Sequence, residues 1–87
     1  MRQYTYYTHG TCSSRIDFAI DDDGKVQDVQ FTGGCHGNLQ GISVLVRGMK
    51  VDDVVKKLQG IRCGYKNTSC PDQLATALTQ AMSSNEG

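Results

Sequence analysis

Tryptophan is absent from the 87 residues, proline occurs once and histidine twice. So little proline leaves element interiors unbroken, and the one occurrence, Pro71, marks a boundary. Net charge is missing as well, nine Lys plus Arg against nine Asp plus Glu. A groove that held nucleic acid by bulk positive charge would need a basic excess, so no specific nucleic-acid partner is expected. Arg47, Lys50, Lys56 and Lys57 lie close together but read first as the solvated face of short helices. No apolar run approaches bilayer length, and the opening MRQYTYYTHG has no apolar stretch followed by a cleavage pattern. The expectation is a soluble, cytoplasmic protein without a membrane partner. In a reducing compartment four cysteines point to ligation, catalysis or simple burial ahead of a disulfide framework.

What is present divides into a β-rich half, about 1–32, and an α-rich half, about 35–84, within a single domain spanning 1–87. Tyr4 and Tyr6 alternate with Thr5 and Tyr7 in an opening strand whose faces stay ambiguous. In SRIDFAID the alternation is clear, with Ile16, Phe18 and Ile20 on one face and Asp17 on the other. Asp22, Asp23 and Gly24 read as a hairpin turn. A return strand runs from about Lys25 to Phe31 with Val29 and Phe31 inward; Val26 has the opposite parity, so it covers a different surface or a bulge shifts the register near the turn.

The period then changes. Leu39, Ile42, Leu45, Val46 and Met49 recur at helical spacing and predict a buried stripe on a helix over about 37–48, closed by Gly48. A short helix from about Asp52 turns Val51, Val54, Val55 and Leu58 toward the sheet and ends at Gly60. Residues 61–69 read as a connector. The final helix begins near Pro71, buries Leu74, Ala75, Leu78 and Met82, and frays in SSNEG. The fold class is therefore α+β, a small antiparallel sheet of two or three strands packed against about three helices. A domain this small has a limited core, so a tie from a metal or a partner chain fits its size. With three of its four tyrosines near the amino terminus, a homodimer is one expectation.

The chemistry centres on Cys12, Cys35, Cys63 and Cys70. Their gaps of 22, 27 and 6 residues lack the paired short knuckles of many zinc sites. Topology brings them closer: Cys12 and Cys35 fall at strand-associated turns, and Cys63 and Cys70 bracket the loop that feeds the last helix. Four thiolates meeting at one rim would suit zinc, and the same donors accept iron or an iron–sulfur cluster. Cys35 and Cys70 also sit at helix starts, where backbone N–H groups favour a thiolate, which makes them redox candidates. Four inert, buried thiols are the third reading.

Other candidates carry less. Gly33, Gly34, Gly37 and Asn38 form a weak anion-site candidate, without the pattern of a nucleotide loop. His36 and His9 are alternative ligands or bases beside cysteines, and Tyr65 and Lys66 could line a pocket near Cys63. Asp21, Asp22 and Asp23 lack the spaced oxygens of a calcium loop and read as a solvated turn.

Three stretches, FTGGCHGNLQGISVLVRGM, LQGIRCG and above all TSCPDQLATAL, together resemble the TSCPD-domain family in its short four-cysteine form, over essentially the full chain. That family is similar to a domain appended to adenosylcobalamin-dependent ribonucleotide reductases, and it also occurs as small free-standing proteins. The resemblance implies a cysteine-containing accessory module, metal-binding, with a reductase or another protein as its partner. It carries the signature onto Thr68, Ser69, Cys70, Pro71 and Asp72, the glycine-rich role onto Gly33, Gly34, Cys35, Gly37 and Asn38, and the four-cysteine pattern onto Cys12, Cys35, Cys63 and Cys70. Complete reductase activity is not expected, because 87 residues are too few for a radical-enzyme scaffold, substrate pocket and cobalamin site together.

Overall fold

A computed structural model describes residues 1–11, 13–34, 36–62, 64 and 67–86, with backbone alone for 36 and 84–86. Three strands come first, β1 (Arg2–Tyr7), β2 (Ser13–Ile20) and β3 (Val26–Gly33); three helices follow, α1 (His36–Val46), α2 (Val51–Leu58) and α3 (Cys70–Glu86). The strands form one antiparallel sheet in the order β1-β2-β3. The helices pack against it, α1 on β3 and α2 on α3, which is the expected α+β arrangement with three strands and three helices.

Alternation in β2 sends Ile16, Phe18 and Ile20 into the core, where they meet Val51, Val54, Leu74 and Leu78 from the helices. The register of β1 settles its faces: Tyr4 lies opposite Phe18 and Tyr6 opposite Ile16. Both tyrosines pack against the core, Tyr4 stacked on Phe18 at 5.3 Å between ring centroids, while Gln3, Thr5 and Tyr7 are exposed.

Two register shifts shape the sheet. Asp17 pairs with Gln30 but Ala19 pairs with Gln27, so β3 carries one extra residue there. Asp28 absorbs it at φ 54, and the bulge turns both Val26 and Val29 inward despite their opposite parity. At the other end Ser13 pairs with Gly33 and Arg15 with Thr32, so the extra residue lies in β2. This second bulge buries Ser13 on the same side as Ile16 although the two differ in parity.

The β2–β3 turn is held by its own acid. The Asp21 carboxylate accepts N–H bonds from Lys25 and Asp23, each 3.0 Å, and one from the Gln27 amide at 3.1 Å. The Lys25 bond is the largest cause holding the Asp21 carboxyl below its ordinary range, against a smaller opposing push from partial desolvation. Beyond the turn, the α1–α2 connection covers the start of β3: Val26 N–H donates to the Met49 carbonyl and Gly48 N–H to the Val26 carbonyl, both at 2.8 Å. Positive φ at Gly48 (83°) and Gly60 (85°) lets the chain leave α1 and α2 sharply, as glycine allows.

The helix faces follow their period with one correction. Leu39 and Val46 are buried and Ile42 and Met49 pack beside them, but Leu45 is 76% exposed and Val44 69%. Because α1 rests on β3, only a narrow stripe of its circumference is covered, and about 100° per residue carries Leu45 past it. A second refinement concerns α2: Val51 and Val54 do join the common core, but the helix lies chiefly against α3. In α3 the expected Leu74, Ala75 and Leu78 are buried, Ala77 and Ala81 join them, and the backbone stays helical to Glu86 where fraying was expected.

Candidate functional site

The start of α3 is assembled by Thr68, Ser69 and Asp72. Ser69 is the N-cap: its hydroxyl accepts the Asp72 N–H at 3.2 Å and its carbonyl accepts the Gln73 N–H at 2.8 Å. The same hydroxyl donates to the Ile61 carbonyl at 2.6 Å. Asp72, in the first turn, accepts the Gly60 N–H at 2.7 Å and the Thr68 hydroxyl, so its carboxylate ties the end of the α2 segment to the new helix. Its charge also lies at the positive end of the helix dipole. Cys70 is the first helical residue and Pro71 the second, one position later than expected, still within the turn whose N–H groups have no intrahelical acceptor.

Cys70 faces inward and is 7% exposed. Its sulfur lies 3.1 Å from the Ser13 hydroxyl oxygen, the contact that the β2 bulge makes possible. Ser13 is itself held: the Thr11 hydroxyl donates to its carbonyl at 3.1 Å, and the Thr8 hydroxyl donates to the same carbonyl. One turn along α3, the buried Gln73 donates its amide to the Thr68 hydroxyl and accepts the His9 N–H, both at 3.1 Å. Every buried polar side-chain atom among the described residues has a partner, so this is a satisfied network of the kind that fixes one geometry.

Of the predicted cysteine set only Cys70 is described; Cys12, Cys35 and Cys63, with Tyr65 and Lys66, lie outside the described residues, as does the side chain of His36. Among the described residues no group of three or more His, Cys, Asp or Glu could hold a metal. The described flanks of the four cysteines nevertheless meet. Ser13, beside Cys12 in sequence, pairs with Gly33, two residues before Cys35, and contacts Cys70. Ile61, two residues before Cys63, is bonded to Ser69. Gly10 approaches Thr68 so closely that an added Cβ would stand 3.3 Å from its methyl group.

Gly33 ends β3, Gly34 follows it, and Gly37 and Asn38 lie in the first turn of α1, all four exposed. His9 is exposed and joins the network through its backbone, and the Asp21–Asp23 run forms the β2–β3 turn. Sequence reasoning missed Ser13 and Gln73. Gln73 had a signal, a polar residue on the same helix face as Cys70, Leu74 and Ala77; Ser13 had none, since its inward turn depends on a bulge.

A small three-stranded sheet under three helices, organised around a capped cysteine, defines a cysteine-containing α+β domain. The chain belongs to the TSCPD domain family, whose match covers residues 1–82. Among curated proteins and among solved structures, none matches the chain.

Proposed function

We propose that the chain is a small metal-binding accessory module in which Cys12, Cys35, Cys63 and Cys70 together hold one ion, zinc foremost, with iron or an iron–sulfur cluster as the other occupants the donor set admits. The observation that carries this reading is the meeting of the four cysteine flanks at the start of α3. One chain step spans about 3.8 Å, which limits how far a residue one or two positions along the chain can stand from Ser13, Gly33 or Ile61. The donor chemistry fits: four thiolates match a closed tetrahedral zinc site, and the Ser13 hydroxyl beside the Cys70 sulfur supplies the outer hydrogen bond that such ligands commonly have.

When bound, the ion supplies a structural cross-link rather than a reaction. The chain's own residues do the remaining work. Ser69 and Asp72 fix the helix start that aims Cys70, Gln73 ties the 8–11 segment to that helix through His9, and the β2 bulge sets Ser13 against the sulfur. The accessory role, next to a ribonucleotide reductase or another protein, rests on the likeness to domains appended to such reductases.

The test is anaerobic purification of the untagged protein with metal analysis, repeated for single Cys→Ser variants. About one ion per chain, lost in each variant, is the expected result. A metal-free wild type with an oxidisable thiol pair would move the assignment to thiol–disulfide exchange. A metal-free protein without such a pair would leave buried, inert thiols.

A further inference from the structure

The two edges of the sheet are treated differently. The start of β3 is covered by the α1–α2 connection, whose Met49 and Gly48 bond to Val26. On β1, no described residue pairs with the outer edge. The Thr8 N–H donates to the Ser14 carbonyl, so by antiparallel alternation the even-numbered residues of β1 bond to β2 while Gln3, Thr5 and Tyr7 turn their N–H and C=O groups outward. Nothing discourages pairing there. The β1–β2 register runs without a shift from Arg2 to Tyr7, the strand has no proline, and its one charge, Arg2, stands at its end.

We propose that β1 pairs antiparallel with β1 of a second copy, on a twofold axis at Thr5, to make a continuous six-stranded sheet. The strand is self-complementary in this register. Thr5 faces Thr5 of the other copy as a hydrogen-bonded pair, and Gln3 faces Tyr7 in both directions, which gives about six backbone bonds in a regular ladder. On the core side Tyr4 meets Tyr6 of the other copy. Both rings are half-buried in one chain, so pairing extends the Tyr4–Phe18 stack across the axis and covers their remaining exposed edges. Each Arg2 faces an uncharged Thr8, whereas parallel pairing would set the two arginines side by side. A foreign strand could match the backbone bonds but would not by itself supply this reciprocal tyrosine and threonine pairing.

Sedimentation velocity of the full chain under reducing conditions, over a wide concentration range, tests the assignment. The expected wild-type mass rises with concentration from that of the 9.5 kDa chain toward twice that value. Thr5→Lys sets like charges opposite each other at the axis, and Thr5→Pro removes an outward N–H without taking a bond from β2. Each is expected to stay monomeric throughout. Far-UV circular dichroism checks that each variant is folded, and Thr5→Lys, which imposes no backbone constraint, decides the matter if Thr5→Pro is not. A wild type that stays monomeric at the highest concentration overturns the proposal, leaving the edge to a foreign strand, and so does a folded Thr5→Lys variant that still dimerises.

Discussion

Ser69 makes the start of α3 through a single hydroxyl, which accepts from the helix and donates to the Ile61 carbonyl of the preceding loop. Removing it strips a cap and leaves that carbonyl without this donor. Ser69→Ala is expected to cost about 1–2 kcal/mol, the upper part of the range for cap deletion, because two bonds go at once. Urea unfolding of the metal-free protein would show a lower midpoint at an unchanged slope; a midpoint within error of wild type would remove Ser69 from this role. Cys70 was legible at this scale because the chain's only proline marks the helix start beside it. Ser13 was not, since a lone serine in a strand signals nothing until the local register is known.

At the scale of elements, patterning was informative wherever burial was broad and misleading where it was narrow. Alternation identified the inner face of β2 because helices cover that face along its length. The misplacement of Leu45 arose because period identifies a helix without saying how much of its circumference a neighbour covers. The parity conflict at Val26 left open a bulge or a different covered surface, and which residue would take a bulge was not readable. Asp28 takes it in the left-handed region, one that aspartate and asparagine tolerate and β-branched residues do not. Asp28→Val is therefore expected to lose about 1–3 kcal/mol, while Asp28→Asn stays within about 0.5 kcal/mol of wild type. The Asn variant also removes the exposed pairing with Arg47, 3.9 Å away, which is worth little at that distance and exposure. Thermal or urea unfolding of both variants gives the comparison, and equal losses would mean that charge, not backbone conformation, sets the preference.

On the scale of the whole molecule, two systems hold the chain together, and they should be separable. One is the apolar core, in which Leu74, Leu78, Ile16, Val26 and Val54 are fully buried. The other is the polar meeting of residues 8–11 and 13 with the 60–61 and 68–73 segments, where, among the described residues, few large apolar side chains are buried and hydrogen bonds do most of the positioning. Such segments open locally at low cost, so a ligand that binds only the closed form adds its whole binding free energy to them. The proposed ion acts there, away from the core. Leu78→Ala should lower stability by about 2–5 kcal/mol with and without zinc, through the cavity it leaves. Free zinc at about a hundred times its dissociation constant should add about 2.7 kcal/mol to wild type and to Leu78→Ala alike, because distant sites are additive. Cys70→Ser should lose that increment while keeping most of its zinc-free stability, since serine is isosteric but for the smaller oxygen and has the Ser13 hydroxyl beside it as a partner. Urea unfolding of the three proteins, each with zinc and with a chelator, measures all of these quantities together. A zinc increment retained in Cys70→Ser would detach the ion from the start of α3, and one lost in Leu78→Ala would show the core and the cysteine rim to be a single cooperative unit.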